Sequence, residues 1–279
     1  MTRSLIYILF ISNLFSQTQV VIEEVMFMDA PYVGEIKTSI KKFASNGIYR
    51  QESSLEVDRF IIRMAMGGNK KYGTILNGNE ESRIVYDAED NKYAFESFNL
   101  IRNNDGKPTL KGMEQNMNFG GGSNRRNNTD EDSDEDSEGV EENIIERTIT
   151  DETMVIAGLK AQKVVTSIIN SKRTVLFEEW FTNDTLLLKY ASDKEQELIE
   201  TYGGKKQNMP RSFSESMLSQ SGKDFESVEG RLLKYSMEMK DEDDKGFKME
   251  WELKGIKEIP FNRDDFNIYK SYKKVDKLD

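Results

Sequence analysis

The sequence predicts an α+β fold, a long antiparallel β-sheet with a few short helices lying over one of its faces. The first observation is that several runs alternate apolar and charged residues with a period of two, which is typical of an antiparallel sheet covered on one side. The second is that helical spacing is confined to two short stretches between strand runs. The third is that short loops separate the runs, which predicts a meander.

Two neighbouring runs near the C-terminus predict a β-hairpin. The apolar positions of the first run are Leu233, Tyr235, Met237 and Met239. After a polar turn at 241–246, the apolar positions of the second run are Phe247, Met249, Trp251 and Leu253. Lys and Glu fill most of the positions between them, so one face of the hairpin is apolar and the other is charged.

A similar alternation occurs earlier in the chain and predicts another strand. Its apolar positions are Phe60, Ile62, Met64 and Met66. Weaker strand patterns cover 20–28, 35–43, 47–53, 73–76, 83–86, 92–98, 160–170 and 174–182. Asn-Gly pairs at 46–47 and 77–78 predict tight turns between some of these strands.

The two helical stretches have similar start and stop signals. In the first, Ser192 and Glu195 have the spacing of a capping box and Gly203 is a stop signal. In the second, Ser212 and Glu215 have that spacing and Gly222 follows. We expect both helices to lie across the open face of the sheet, because an apolar sheet face requires a cover.

Composition excludes several classes of catalytic site. The 279 residues include no Cys and no His, which rules out disulfides, thiolate nucleophiles and imidazole bases or metal ligands. We therefore expect no enzyme, no cofactor and no metal site. Nine acids between 130 and 142 account for most of the net charge of −11, which is −2 without them. No basic stripe is present, so nucleic acid is not an expected partner.

The order of the sequence patterns along the chain predicts one exported domain. Residues 1–16 have a short positive start and an apolar run, which predicts a signal peptide, although an uncleaved anchor is the alternative. Residues 17–279 then form a single domain in the periplasm or outside the cell, without a membrane span. Residues 115–143 are rich in Gly, Asn and acids, and we expect a disordered acidic loop inserted in that domain.

Carboxylate pairs and the acidic loop are the candidate sites of acid–base or metal chemistry in this sequence. Glu178 and Glu179 are adjacent in a predicted strand, so they point to opposite faces and do not form a catalytic pair. An EF-hand register that starts at Asp134 places Ile145 where the bidentate Glu belongs. The loop is therefore interpreted as solvated, with weak attraction for cations.

Methionine is the most suggestive residue type, because 13 are present and seven fall in strand patterns. Met is flexible and polarisable, so it suits surfaces that accept variable apolar shapes, although it also fills gaps in ordinary cores. A plain core is the alternative interpretation. The candidate lining of an apolar cavity consists of Phe60, Ile62, Met64, Met66, Leu233, Tyr235, Met237, Met239, Phe247, Met249, Trp251 and Leu253.

Several ordered motifs resemble one family of exported bacterial proteins, the 4412 domain-of-unknown-function family. The stretch TDETMVIAGLKAQKVV at 150–165 and the EEWFTND that follows carry the resemblance, together with YRQESSLEV, RIVYDAEDNKYAF and EIPFNRDDFNIYKSYKKV. The chain departs from the family pattern at Leu159, Ala161 and Tyr269, where an aromatic residue, Cys and Pro are usual.

The resemblance implies a LolA-like fold, a strongly curved antiparallel half-barrel with short helices over its concave face. It transfers no activity and no catalytic residues. The function expected from the whole sequence is non-enzymatic binding of a lipid or another apolar ligand in a concave Met- and aromatic-lined cavity. The alternative is a secreted or cell-surface module with a filled core, which binds a protein partner through the acidic loop.

Overall fold

The structure is a computed structural model that describes residues 17–65, 68–112, 144–205, 212–218, 228–241 and 246–278. The predicted signal peptide, the acidic loop with its EF-hand register, Met66 and Gly222 lie outside the described residues.

The described residues form one sheet of twelve strands. Their bounds are β1 Thr18–Ala30, β2 Gly34–Ser45, β3 Ile48–Val57, β4 Lys70–Asn77, β5 Ser82–Asp87, β6 Lys92–Ser97, β7 Ile144–Ile156, β8 Leu159–Ile169, β9 Arg173–Thr182, β10 Arg231–Asp241, β11 Gly246–Pro260 and β12 Lys273–Lys274. Their order across the sheet is β12-β6-β5-β4-β3-β2-β1-β11-β10-β9-β8-β7. The pairings are antiparallel, except for the short parallel contact of β12 with β6.

Two meanders make up this sheet, β1 to β6 and β7 to β11, and the pairing of β1 with β11 joins them. The predicted antiparallel sheet and the hairpin of β10 with β11 are confirmed, with Tyr235 opposite Trp251 and Met237 opposite Met249. Strand β7 was not predicted. Its side chains are largely exposed, and the apolar residues of its sequence, IIERTITDETMVI, do not alternate regularly with polar ones.

Four helices are present in the described residues: α1 Phe60–Ala65, α2 Phe98–Asn103, α3 Leu186–Thr201 and α4 Phe213–Leu218. The strand predicted for Phe60, Ile62, Met64 and Met66 is wrong, because the described part of that run is helix α1. Arg63 is the single polar position in this short run, which is too little to distinguish a period of two from a period of 3.6.

The capping prediction was right for one helix and wrong for the other. Ser212 Oγ accepts a hydrogen bond from the Glu215 amide at 3.0 Å, as a capping box requires at the start of α4. Helix α3 begins at Leu186, so Ser192 lies inside the helix and is not its cap. Gly203 follows the helix with a φ of +84°, which favours glycine and confirms the stop signal.

Helix α3 packs on one face of the sheet, which we call the helix face. Ala191, Leu198 and Tyr202 join a buried cluster with Val20, Ile22, Ala44, Tyr49, Leu76, Leu233 and Leu253 from the strands. Because α3 contacts β1 to β4 and β11, it covers the helix face near the N-terminal half of β1.

The other face of the sheet is covered in part by the C-terminal residues 261–275, which we call the C-terminal strap. Two 3₁₀ turns, Arg263–Phe266 and Ile268–Ser271, lie within it. Phe266 packs against Phe43 and Val21, while Tyr269 and Tyr272 pack against the cluster of Ile75, Ile84 and Tyr86. We call this side of the sheet the strap face.

Candidate functional site

An apolar stripe runs along β11 from Phe247 to Ile256 on the helix face. Its members are Phe247, Met249, Trp251, Leu253 and Ile256. Strict alternation would turn residue 256 to the other face, but a β-bulge places Leu253 opposite Glu24 and Gly255 opposite Glu23. The bulge inserts Lys254 as an extra residue, and Ile256 therefore faces the same side as Leu253.

Cross-strand pairing extends this stripe sideways over neighbouring strands. Met249 lies opposite Met28 of β1 and Met237 of β10, and Trp251 lies opposite Met26 and Tyr235. Directly paired residues share a face of the sheet, so these side chains form one surface. The methionine patch is defined here as Met26, Met28, Tyr235, Met237, Met239, Phe247, Met249 and Trp251.

The patch is more exposed than the buried cluster under α3. Met237, Met239, Phe247 and Trp251 are partly exposed, as are Met26 and Met28, whereas Tyr235 and Met249 are buried. Leu233 and Leu253 are 0% and 1% exposed within the cluster under α3. Six of the predicted site residues thus lie in the patch, and these two belong to the packed core beside it.

The predicted residues from α1 do not join the patch. Phe60 is 62% exposed and Met64 is 65% exposed, and both lie on a helix instead of a strand of the sheet. Ile62 is partly exposed on the same helix, and Met66 lies outside the described residues. Met26 and Met28, by contrast, do belong to the patch, although the sequence analysis did not include them in the candidate lining.

Opposite the patch, the strap face carries charged pairs. Lys41 contacts Glu23 at 2.9 Å, Lys248 contacts Glu250 at 2.6 Å, and Lys163 contacts Glu178 at 2.8 Å. These pairs lie at partly or well exposed positions. The two faces of the same strands therefore differ sharply, one being apolar and the other ionic, which is the division that the alternating pattern predicts.

A buried carboxylate holds helix α4 beside the patch. Glu179 is fully buried and accepts hydrogen bonds from Ser212 Oγ at 2.9 Å, from the Phe213 amide at 2.8 Å and from Ser214 Oγ. The Phe213 ring lies over the Tyr235 ring with centroids 4.1 Å apart. Burial, together with the nearby Glu179, raises the pKa of Tyr235, which keeps its phenol neutral.

Lys42 and Glu24 form a polar boundary between the filled core and the patch. Lys42 Nζ contacts both carboxylate oxygens of Glu24, at 2.8 and 3.0 Å. Burial opposes the charge on Lys42, but Glu24 and Glu195 of α3 outweigh burial and raise the pKa of Lys42. The apolar core and the apolar patch are thus separated by an ion pair on the β1–β2 part of the helix face.

Two threonine hydroxyls face the patch region without a partner. Thr38 lies opposite Met26, and Thr166 lies opposite Phe177, which in turn is opposite Met237. Both threonines are fully buried, and neither Oγ1 atom has a hydrogen-bond partner among the described residues.

Two cavities lie at the far end of the β11 stripe. One, of about 300 Å³, is lined by Leu159, Asp184, Leu186, Leu187, Leu188 and Ile256. The other, of about 210 Å³, includes Ala157, Gly255 and Ile256. The sequence analysis missed these residues. The signal was present as three consecutive leucines at the start of α3, but helical spacing alone does not show which of them face a groove.

No three Asp or Glu side chains among the described residues lie close enough together to hold a metal ion. No helix in the same part of the chain is long and apolar enough to cross a membrane.

No family model and no curated protein matches this chain. Among solved structures it is similar to PNGF-II, with 14% identity and a TM-score of 0.27, over 94% of this chain and 31% of that one. It is also similar to an outer membrane lipoprotein-sorting protein domain from Vibrio parahaemolyticus, with 9% identity and a TM-score of 0.26 over 91% of each chain. A LolA superfamily protein from Nitrosomonas europaea has 10% identity and a TM-score of 0.23 over 90% of each chain. At these identities and TM-scores the likenesses carry no argument, so function is argued from geometry.

Proposed function

We propose that this protein is a non-enzymatic, exported binding protein that holds a lipid acyl chain or another apolar ligand on the methionine patch. The observation that carries the proposal is a set of half-buried methionine and aromatic side chains, paired across β1, β11 and β10. The curved, LolA-like half-barrel implied by the family resemblance belongs to the same proposal, since curvature of the sheet would turn the patch inward.

Methionine supplies the recognition chemistry. Its unbranched thioether side chain adapts to different apolar shapes, so a patch built on Met26, Met28, Met237 and Met239 accepts chains of variable length and bend. Each methylene group transferred from water to such a surface contributes about 0.8 kcal/mol.

The absence of an enzymatic role is part of the proposal. The chain has no His and no Cys, and its buried carboxylate Glu179 is already fully engaged with α4. Its neighbour Glu178 lies on the strap face in a pair with Lys163. These two acids therefore support the sheet and do not act on a common substrate.

Uptake of a monomeric fluorescent fatty acid from solution tests the proposal. Met28 and Phe27 are neighbours on β1 that point to opposite faces, and Phe27 is 41% exposed on the strap face. Met28→Lys places a charge in the patch, and we expect it to weaken binding at least about tenfold. Phe27→Lys is the matched control and should leave binding unchanged.

Native mass spectrometry of gently extracted protein provides the second measurement, with a co-purified lipid as the expected result. Equal affinities of the Met28→Lys and Phe27→Lys variants, or no uptake by the native protein, would contradict the proposal. Deleting residues 120–143 tests the alternative of a loop-mediated protein partner, because fatty-acid uptake should survive that deletion.

The mass of the exported protein should correspond to a chain that begins at Gln17.

A further inference from the structure

Four large apolar side chains are exposed together at one end of the sheet. Tyr32 is 77% exposed in the turn between β1 and β2, and on α1 Phe60, Ile61 and Met64 are 62%, 79% and 65% exposed. The two segments touch, because Arg59 Nη1 donates a hydrogen bond to the Tyr32 carbonyl at 2.8 Å. We call these four side chains the apolar tip.

The apolar tip does not follow the usual arrangement of a surface helix. Positions 60, 61 and 64 of α1 lie within an arc of about 100° around the helix axis, because each residue adds a rotation of about 100°. A helix on a protein surface normally turns that side towards the core. Here it points to solvent, and clustered apolar exposure of this kind marks an interaction surface.

Cationic side chains contact the apolar tip. The Arg63 guanidinium stacks over the Phe60 ring at 5.7 Å, and Arg59 anchors the Tyr32 turn. Apolar and aromatic side chains with guanidinium groups beside them suit a phospholipid surface, in which phosphates adjoin the acyl chains.

The apolar tip lies beside the methionine patch. Met28 is opposite Ile36 of β2, and Ile36 is opposite Val57 of β3, three residues before α1 begins. Tyr32 lies in the turn that follows β1, two residues after Ala30, the last residue of that strand. An acyl chain that leaves a membrane under the apolar tip would therefore reach the patch along β1 and β2.

We propose that the apolar tip docks on a phospholipid membrane surface, with Phe60, Ile61 and Met64 in the acyl boundary and Arg59 and Arg63 at the phosphates. This contact goes beyond the proposed ligand binding and does not depend on it. It is peripheral, since the tip consists of one helical turn and a β-turn.

Flotation with vesicles of phosphatidylethanolamine and phosphatidylglycerol tests the contact. We expect the native protein to float with the vesicles. The triple variant Phe60→Ser, Ile61→Ser, Met64→Ser should lose at least about tenfold in vesicle affinity. Arg63→Gln should lose roughly fivefold, and more salt should diminish that difference.

The matched control replaces three side chains of edge strand β7. Ile144, Met154 and Val155 are 60%, 36% and 68% exposed, so Ile144→Ser, Met154→Ser, Val155→Ser removes similar apolar surface elsewhere. The control should float like the native protein. Equal loss in both triple variants, or no flotation of the native protein, overturns the inference.

A partner of the apolar tip other than a membrane would give a different experimental result. If the native protein forms a dimer that the tip variant dissolves, without binding vesicles, the tip joins two copies and the membrane contact is overturned. Fatty-acid uptake from solution is measured on the same variants. If the tip variant retains fatty-acid uptake but no longer floats with vesicles, the inference is supported. If the native protein floats with vesicles but takes up no fatty acid, only the proposed ligand binding is contradicted.

Discussion

The Ser212 hydroxyl lies 2.9 Å from both carboxylate oxygens of Glu179 and donates a bifurcated hydrogen bond to them, although 33 residues separate the two in the chain. Ser212 Oγ also accepts a hydrogen bond from the Glu215 amide, so this one side chain both caps α4 and connects that helix to β9. The buried carboxylate thereby fixes Phe213 against Tyr235 at the edge of the methionine patch.

Removal of the Glu179 carboxylate should loosen α4. In Glu179→Ala, two serine hydroxyls and the Phe213 amide lose their acceptor in a buried site, which costs about 3 kcal/mol in the free energy of unfolding. Glu178→Ala is the matched control, because its carboxylate is exposed and paired with Lys163. We expect that control to change stability by about 0.5 kcal/mol or less. Urea denaturation measures both, and equal losses would contradict the assignment.

A side chain at position 73 should not be tolerated. Gly73 lies opposite Tyr86 on the strap face, and a Cβ atom there would overlap the end of the Tyr86 ring. That ring is held by Arg50, which donates to Tyr86 Oη at 2.9 Å, and by Glu52. Gly73→Ala should therefore destabilise the protein by about 2 kcal/mol. At Gly255 the nearest atom to an added Cβ is 3.7 Å away, so Gly255→Ala should be close to neutral in the same thermal unfolding experiment.

Stability should fall in acid partly through Glu52. Burial raises the pKa of this carboxyl, but Arg50 and the hydrogen bond from Tyr86 outweigh burial and lower it below the ordinary value of 4.5. A lowered folded-state pKa means that the stabilisation is present above the unfolded-state pKa and is lost as pH falls through the folded-state pKa.

The slope of unfolding free energy against pH measures this contribution below about pH 4.5. Glu52→Gln should flatten that slope, because the residue no longer titrates. Glu56→Gln removes an exposed carboxylate paired with Lys37 and should leave the slope nearly unchanged. An unaltered slope in Glu52→Gln would show that the Arg50 cluster does not contribute to acid unfolding.

The two tryptophans should report ligand binding differently. Trp251 belongs to the methionine patch, whereas Trp180 is buried and its ring is contacted by Lys163 at 5.6 Å. In Trp180→Phe, the remaining Trp251 should shift its fluorescence to shorter wavelength when a fatty acid displaces water from the patch. In Trp251→Phe, the emission of Trp180 should stay constant. A shift in the emission of Trp180, with no shift in that of Trp251, would place the ligand away from the patch.

The β10–β11 hairpin was predictable because its signal is local. Tyr235, Met237, Met249 and Trp251 alternate with polar residues over two uninterrupted runs, and burial of one face then requires an extended chain. The α1 segment shows the limit of this reasoning. Its apolar residues are equally compatible with strand and helix, and Phe60 and Met64 are exposed, so burial did not select a period there.

The sequence by itself determined the strand-rich character of the protein, the apolar face of its last hairpin and the exclusion of His and Cys chemistry. Only the tertiary structure decided that β1 pairs with β11, which joins two meanders and brings Met26 and Met28 beside Met249 and Trp251. It also decided that the buried carboxylate of Glu179 accepts hydrogen bonds from Ser212 and from the Phe213 amide at the start of α4. The physical reason is that alternation depends on neighbours in the chain, whereas strand partners and buried polar groups are selected by contacts between distant segments.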